Sequence, residues 1–301
     1  MKHICKHIKL FLALLIIICT TVVGIRYSVY VSYHHLETTC YTIKSDKIRG
    51  KIRFVMISDL HDFEFGFKNV NLVKEIKKQK PDFILVVGDI INGESADSHI
   101  ATDLLKEIVD IAPVYYSWGN QEEEYIKKQT SDLEEELTDA GAIVLDKEYY
   151  KINIRGNEIC LGGLYDYAFG FDGEGLMSKT NMDSEILKFL ENFQKNKSYK
   201  IIMAHRPDSF IFGEAYNTWD IDLVLSGHNH GGQVILPILG GLYGGDQGFF
   251  PNYDFGEFHF KILKSMIITR GLSSDKEKLP RFNNVPEIVS VDLIGSKPTS
   301  N

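Results

Sequence analysis

The chain has 301 residues, of which 44% are apolar and 25% charged, and its formal net charge is -8. This composition is typical of a globular protein with a full core. Sequence-independent binding of nucleic acid relies on a basic face, so the acidic balance argues against nucleic acid as a partner and against a nuclease. It does not exclude a small phosphorylated substrate, because bound metal ions can make a local site positive.

The first 33 residues predict a membrane anchor. Leu10 to Ile25 carries no charge, three lysines precede it, and Arg26 and several tyrosines follow it. The run approaches bilayer-spanning length, and the tyrosines fit an interfacial belt. No small-residue cleavage site follows, which favours an uncleaved single-pass anchor over a signal peptide. The lysines predict a cytoplasmic tail and a folded domain outside the cytoplasm, at the cell membrane. The alternative is a buried core helix.

The remaining chain divides into short alternating elements. We expect a cytoplasmic tail at 1–9, the anchor and its flank at 10–33, a connector at 34–50, one folded domain at 51–294 and a tail at 295–301. In the first half, strands are predicted at 52–58, 82–87, 113–117 and 142–145, and helices at 69–80, 98–111 and 122–140. The second half predicts a hairpin at 149–154 and 158–161, a helix at 183–196, and strands at 199–204, 221–226, 258–262, 266–269 and 288–293. This pattern predicts an α/β fold with two sheets packed face to face and helices outside.

The four cysteines include no C-x-x-C pair, which argues against a cysteine metal site. Cys40 and Cys160 would be able to form a disulfide outside the cell, a pairing that spacing alone does not decide.

Polar side chains follow five of the predicted strands. They are Asp59 and His61, Asp89, Asn120, His205, and His228 with His230. The glycines around the last pair allow a sharp turn that brings both rings into one crevice. Each residue alone is also consistent with a turn, a helix cap or a loop histidine. Ligand crevices form at the carboxyl ends of strands, however, and this mixture of carboxylates, imidazoles and an amide suits two divalent cations.

These motifs, D-x-H, GD, GN, a lone His and GHxH in this order, resemble the calcineurin-like metallophosphoesterases over residues 51–293. The segments Ala204 to Asp208, GHNHGGQ, Arg270 to Leu272 and Pro286 to Ile288 resemble the membrane-associated YkuE-type branch. The resemblance implies a four-layer αββα sandwich with two Mn, Fe or Zn ions. It implies that Asp59, His61 and His230 hold one metal, that Asn120, His205 and His228 hold the other, and that Asp89 bridges them. The implied reaction is attack on phosphorus by a metal-bridging hydroxide, with Asp89, Asn120, Gln121 and His228 as the catalytic set.

The chain departs from the family at one catalytic position. The family motif is GNH followed by Asp or Glu, whereas this chain has Gly119-Asn120-Gln121-Glu122. Gln121 can donate a hydrogen bond to a leaving group but cannot deliver a proton, and general acid catalysis contributes about 10²–10⁴ in rate. We therefore expect good leaving groups, such as a phosphate or an aryl alcohol, to be preferred over alkyl or sugar alkoxides. Glu122 or His99 are alternative acids.

Other candidates are less specific. Arg270 and Arg281 are candidates for holding substrate phosphate, with a surface ion pair as the alternative. Asp166 and Tyr167 follow a strand and are expected beside the cleft. The Gly-rich stretch 240–248 lacks a P-loop lysine and is read as a mobile loop at the cleft edge, whose apolar side chains would contact lipid or the membrane surface.

Together these features predict a membrane-anchored phosphoesterase with two metal ions. Its expected substrate is a phosphoester or pyrophosphate, either a phosphorylated small molecule or a lipid-linked compound. The alternative, motivated by Gln121, is a metal-bound binding or regulatory protein with weak turnover.

Overall fold

The computed structural model of the protein describes residues 2–129, 132–165, 167–273 and 279–296, with side chains from residue 6 onward. Its α-helices are α1 (Lys2–His34), α2 (Val70–Gln79), α3 (His99–Val109), α4 (Asn120–Lys128), α5 (Leu133–Asp139), α6 (Ser184–Phe193) and α7 (Asp208–Ile211). Short 3-10 turns lie at Phe67–Asn69, Lys179–Asn181, Phe212–Asn217, His230–Gly232 and Gly245–Gln247.

The strands form two large sheets and two small ribbons. They are β1 (Glu37–Ser45), β2 (Lys51–Ile57), β3 (Phe83–Val87), β4 (Val114–Ser117), β5 (Ile143–Leu145), β6 (Glu148–Ile154), β7 (Asn157–Leu164), β8 (Tyr199–Ala204), β9 (Leu223–Ser226), β10 (Ile235–Leu236), β11 (Gly240–Gly241), β12 (Tyr243–Gly244), β13 (Gly248–Phe249), β14 (Gly256–His259), β15 (Ser265–Ile268) and β16 (Glu287–Gly295). The first sheet has the order β1-β16-β2-β3-β4-β5 and the second has the order β14-β15-β9-β8-β7-β6.

Parallel pairing in the middle of each sheet decides where polar side chains meet. Strands β2, β3 and β4 are parallel neighbours in the first sheet, and β8 and β9 are parallel neighbours in the second. All five strands are followed by the polar residues noted above. Because parallel strands end at the same edge of a sheet, their carboxyl ends create one shared crevice.

The two sheets pack face to face. Successive residues of β2 alternate, so that Val55 and Ile57 join a core against α2 and α3, whereas Phe54 and Met56 join the core between the sheets. This alternation follows from the two-residue period of a strand. The second sheet is covered on its outer face by α6, through residues such as Phe189. The four-layer αββα sandwich predicted from the sequence is confirmed.

Three expectations about the elements were wrong. Residues 34–50 are not only a connector, because β1 lies within them and pairs in parallel with β16 along nine residues. The strand predicted at 288–293 belongs to the first sheet rather than to the second group of strands, since β16 pairs with β2. The single helix predicted at 122–140 is two helices, α4 and α5, and the sequence Thr130-Ser131-Asp132 between them consists of poor helix formers.

The cysteine pairing is also not formed. Cys40 lies exposed on edge strand β1, whereas Cys160 is buried in β7 of the other sheet, and both are free thiols. Burial raises the pKa of the Cys160 thiol to about 11, so this cysteine stays protonated and unreactive at neutral pH.

Helix α1 is long and apolar enough to cross a membrane. Its segment Lys6–His34 has 29 residues and a mean hydropathy of 2.6 in its most apolar window, none of which is buried. The end of the helix, in contrast, docks on the domain. Backbone N–H groups of Arg281, Asn283 and Asn284 donate to the hydroxyls of Tyr33, Ser28 and Ser32, respectively, each at 3.1 Å.

Candidate metal centre

The fold brings the polar residues of all five strand ends into one cluster. Nε2 of His205 lies 3.1 Å from Oδ2 of Asp89 and 3.8 Å from Oδ1 of Asp59. Nε2 of His61 lies 3.8 Å from Oδ2 of Asp89, and Nε2 of His230 lies 3.8 Å from Oδ1 of Asp59. Residues from both sheets therefore face one another across a space a few ångströms wide.

The backbone at these strand ends is unusual. The φ angle is 57° at Asp59, 51° at His61, 54° at Asp89, 67° at His228 and 45° at His230. A left-handed conformation costs a non-glycine residue roughly 1–2 kcal/mol, and such strain clusters at functional sites. These conformations turn the chain sharply after β2, β3 and β9, so that the side chains project into the crevice instead of continuing the pleat.

Two glycines permit the close approach of these turns. A Cβ atom on Gly119 would lie 2.1 Å from Oδ1 of Asp89, and one on Gly227 would lie 2.3 Å from Oδ2 of Asp59. No side chain larger than hydrogen fits at either place without displacing a carboxylate of the cluster.

Three of the histidines are held by their outer ring nitrogens. Nδ1 of His61 lies 3.1 Å from Oδ1 of Asn92, Nδ1 of His205 lies 2.8 Å from the carbonyl of Val87, and Nδ1 of His230 lies 2.9 Å from the carbonyl of Ser273. These oxygens accept a hydrogen bond, so each Nδ1 carries the proton. Such contacts fix the ring tautomer and orientation and leave Nε2 directed into the cluster.

Several buried atoms of the cluster have no hydrogen-bond partner. They are Oδ2 of Asp59, Nε2 of His61, Oδ1 of Asn120 and Nε2 of His205. A buried polar atom without a partner costs about 1–3 kcal/mol. A cation would satisfy all four, because the two oxygens and the Nε2 atoms of neutral imidazoles each offer a lone pair. The ligating atoms of Asp59, His61 and His230 lie within 4.8 Å of one another, as do those of Asp89, His205 and His228, so the donor set fits two divalent cations.

The charges of the cluster are set by burial and by mutual contact. Burial opposes a charge on His205, but the Asp89 carboxylate overrides this effect and raises the pKa of His205 to about 9. Burial likewise opposes a charge on Asp89, yet His205 and His61 lower its pKa. Burial lowers the pKa of His230 to about 3, so this ring is neutral, as a metal ligand must be. A metal that uses His205 has to displace one proton.

Gln121 lines the cleft next to Asn120. Its backbone N–H donates to Oδ1 of Asp89 at 2.9 Å, and its side-chain oxygen accepts a hydrogen bond from the N–H of Gly93 at 2.8 Å. The amide nitrogen Nε2 is then the side-chain group left to face a substrate. It is a hydrogen-bond donor without an acidic proton.

Neither of the alternative acids is placed to replace a histidine at this position. Glu122 is fully buried and accepts hydrogen bonds from the N–H groups of Asp89, Ile90 and Gly119, each at 2.8 Å, and from the hydroxyl of Tyr116 at 2.6 Å. These contacts give it the role of holding the turn that carries Asp89. His99 is exposed on α3, where it pairs with Asp97.

The two arginines predicted to bind substrate have structural partners. Arg270 forms ion pairs with Glu37 at 3.0 Å and Glu287 at 3.2 Å. The guanidinium of Arg281 is fully buried and donates to the carbonyls of Asn284, Arg270 and Gly271 at 3.0–3.3 Å. Burial lowers the pKa of Arg281 to about 10. The structure brings neither side chain into the lining of the cleft, so it does not support the substrate role.

A second group of side chains beside His228 was not given a role from the sequence. Asp246 lies 3.4 Å from Nε2 of His228, the hydroxyl of Tyr167 donates to Asp246 at 2.5 Å, and Arg206 lies 3.6 Å from Asp246. Asp208 is buried with both carboxylate oxygens unpartnered, and burial raises its pKa to about 6. Arg206 and Asp208 both follow His205 in the Ala204 to Asp208 segment. The likeness of this segment to the YkuE-type branch was the signal that could have drawn attention to them. Asp166, expected beside the cleft, lies outside the described residues.

The cleft has a cavity volume of about 90 Å³, which is below the range of roughly 300–1,000 Å³ that is usual for ligand pockets. The cleft is lined by His61, Asp89, Asn120, Gln121, His228, Asn229, His230, Gln233, Tyr243 and Gly245.

The Gly-rich stretch 240–248, expected to form a mobile loop, instead belongs to two antiparallel ribbons, β10 with β11 and β12 with β13. They carry exposed apolar side chains, among them Ile238, Leu239, Phe249 and Phe250.

A two-sheet sandwich whose strand ends supply carboxylate, imidazole and amide ligands for two cations defines a metal-dependent phosphoester hydrolase. Residues 52–232 match the model of the family described as calcineurin-like phosphoesterase. The chain therefore belongs to this family, and the resemblance predicted from its motifs is confirmed.

Several relatives extend over most of the chain. An uncharacterized metallophosphoesterase of Aquifex aeolicus is 31% identical, with 88% of this chain and 96% of that protein covered. The metallophosphoesterase YkuE of Bacillus subtilis is 27% identical, with 90% of each covered. The phosphodiesterase YaeI of Escherichia coli is 26% identical, with 72% of each covered. These likenesses agree with the YkuE-type branch predicted from the sequence.

Proposed function

We propose that this protein is a membrane-anchored phosphoesterase with two divalent metal ions. One metal would be held by Asp59, His61 and His230, the other by Asn120, His205 and His228, with Asp89 between them. The observation that carries the proposal is the set of buried ligand atoms without partners, which come from strand ends of both sheets. The mixed oxygen and nitrogen ligands suit Mn, Fe or Zn.

When bound, two such cations neutralise phosphate oxygens and make hydroxide available at neutral pH. The residues of this chain then have separate tasks. The outer contacts of His61, His205 and His230 fix the rings, and Glu122 fixes the turn that carries Asp89. Gln121 donates a hydrogen bond from Nε2 to the leaving oxygen but gives no proton. The site therefore favours leaving groups that depart as stable anions, such as a phosphate or an aryl alkoxide.

Removal of metal tests the proposal directly. The full chain in detergent, loaded with Mn²⁺, should hydrolyse an aryl phosphodiester, and a chelator should abolish this activity. Metal at 100 times its Kd stabilises the folded state by about 2.7 kcal/mol, so chelation should also lower Tm by about 5–10 °C.

His228→Ala is the control for this experiment. It should show little hydrolysis and a smaller shift of Tm with Mn²⁺. Binding of Mn²⁺ by the wild-type chain without hydrolysis above this variant would instead support a metal-bound binding or regulatory protein, the function that Gln121 favours.

The membrane-facing part of the proposal rests on α1 and on the ribbon of β10 and β11, which is connected to the end of this helix. At 1.5 Å per residue the segment Lys6–His34 is about 43 Å long, against about 30 Å for the hydrocarbon core of a bilayer. Asn283 joins the docked end of α1 to the first ribbon, because its backbone N–H donates to Ser28 and its side chain donates to the carbonyl of Ile235 at 3.1 Å. We propose that this ribbon rests on the membrane, outside the cytoplasm, and that a lipid-linked phosphoester reaches the cleft from it.

Tryptophan fluorescence can locate the ribbon. The two native tryptophans, Trp118 and Trp219, are buried, so an added one reports its own surroundings. In vesicles that contain brominated lipid, Ile238→Trp should be strongly quenched, because Ile238 is fully exposed at the turn of the ribbon. Ile262→Trp, at a partly exposed apolar position before β15, is the matched control and should be quenched little. Equal quenching at both positions would contradict the proposed orientation.

A further inference from the structure

His228 differs from the other three histidines of the cluster in the group that holds it. His61, His205 and His230 donate from Nδ1 to an uncharged oxygen. In His228 it is Nε2 that has the outer partner, and this partner is the Asp246 carboxylate, 3.4 Å away. The backbone also approaches closely here, because a Cβ atom on Gly245 would lie 3.0 Å from Nε2 of the ring.

Asp246 is itself fixed in place. The hydroxyl of Tyr167 donates to it at 2.5 Å, and Arg206 lies 3.6 Å from it and stacks over the Tyr167 ring, 4.6 Å from the ring centroid. The turn that carries Asp246 is tied down by the next residue, since the side chain of Gln247 exchanges hydrogen bonds with the backbone of Tyr253 at 3.1 and 3.2 Å. The Asp246 carboxylate is therefore held in a fixed position facing His228 by side-chain contacts and by the hydrogen bonds of its turn.

The same residues also suggest a third cation site, because ligating atoms of Asp208, His228 and Asp246 lie within 4.8 Å of one another. The chemistry of His228 argues against it. A neutral imidazole has one lone pair on its ring nitrogens, so a ring that binds the second metal carries a proton on its other nitrogen. A third cation would then have only the carboxylates of Asp208 and Asp246 as ligands, and Asp246 already has Arg206 and Tyr167 as partners.

We propose that Asp246 is a positioning residue for the second metal. Its carboxylate accepts the N–H at Nε2 of His228, which fixes the tautomer and directs Nδ1 toward Asp89 and His205. Carboxylates in this position typically raise metal affinity by 10–100-fold. The inference rests on the proposed two-metal centre. It makes the turn between β12 and β13, which carries Asp246, part of the metal site.

The test is a calorimetric titration of the metal-free full chain in detergent with Mn²⁺. In the wild type we expect two binding events. In Asp246→Ala, one of them should weaken by about 10–100-fold while the other is unchanged. Asp246→Asn should weaken the same event less, because an amide oxygen still accepts a hydrogen bond. Tyr167→Phe keeps the carboxylate but removes the hydroxyl that holds it, so it should give a smaller loss at the same site.

Glu174→Gln is the control, because it removes one exposed negative charge from a turn outside the cleft lining. It should leave both affinities unchanged. Asp246→Ala loses the contacts of this carboxylate with Tyr167 and Arg206 whether or not metal is bound. Its Tm should therefore fall further below that of the wild type with Mn²⁺ than without, and this difference separates a metal-positioning role from a structural one. Unchanged affinities in Asp246→Ala, or an equal loss of Tm with and without metal, would overturn the inference while the two-metal centre stands. A wild type that binds fewer than two Mn²⁺ would overturn the proposed centre itself.

Discussion

Replacement of Gln121 by histidine is expected to raise the rate of alkyl phosphoester hydrolysis by about 10²-fold or more. The position lines the cleft next to Asn120, and its backbone N–H holds Asp89. A histidine there could protonate a poor leaving group as the bond to phosphorus breaks, which the amide of Gln121 cannot do. Aryl phosphodiesters need little protonation, so their rate should change by less than about tenfold. The measurement is kcat/KM for a matched pair of alkyl and aryl substrates.

Gln233→His is the control for this experiment. Gln233 lines the same cleft but follows β9 of the second sheet, whereas Gln121 follows β4 of the first. A histidine at position 233 therefore adds an imidazole to the cleft without replacing Gln121. It should not change the ratio of alkyl to aryl rates. If Gln121→His left this ratio unchanged too, loss of a general acid would not explain the substrate preference of this chain.

Replacement of Glu122 by alanine is expected to destabilise the domain by about 3 kcal/mol or more. The carboxylate is buried and accepts three backbone N–H groups and the hydroxyl of Tyr116. Each buried donor left without a partner costs about 1–3 kcal/mol, although water entering the cavity would recover part of this. Urea unfolding of the full chain in detergent measures the loss. The turn of Asp89 should also loosen, so Mn²⁺ affinity should fall.

Glu124→Ala tests the same helix without the buried contacts. The Glu124 side chain is 42% exposed and pairs with Lys128 one turn later, an arrangement that contributes little to stability. The loss should be below about 0.5 kcal/mol. A Glu122→Ala variant as stable as Glu124→Ala would show that the buried carboxylate does not organise the Asp89 turn.

The sequence by itself determined which residues form the polar cluster at the strand ends. Seven polar residues lie within about four positions after the end of an apolar strand: Asp59, His61, Asp89, Asn120, His205, His228 and His230. A strand pattern and the glycine or polar residue that ends it are local properties, so they can be read from a few neighbouring residues. The carboxyl ends of parallel strands gather at one edge of a sheet, so this rule places these side chains together without knowledge of the exact strand order.

Only the tertiary structure decided the features that depend on distant parts of the chain. Strand β1 has a largely exposed edge with no apolar alternation, and it is defined by its backbone pairing with β16, about 250 residues later. Arg281 looks like a phosphate ligand in the sequence, but it is buried beneath carbonyls that no local pattern places around it. The contact of Asp246 with His228 could not be predicted either, because Asp246 reaches the ring only through the turn between the paired strands β12 and β13. Contacts of this kind depend on how distant elements pack together, so the periodicity of a short stretch of sequence does not predict them.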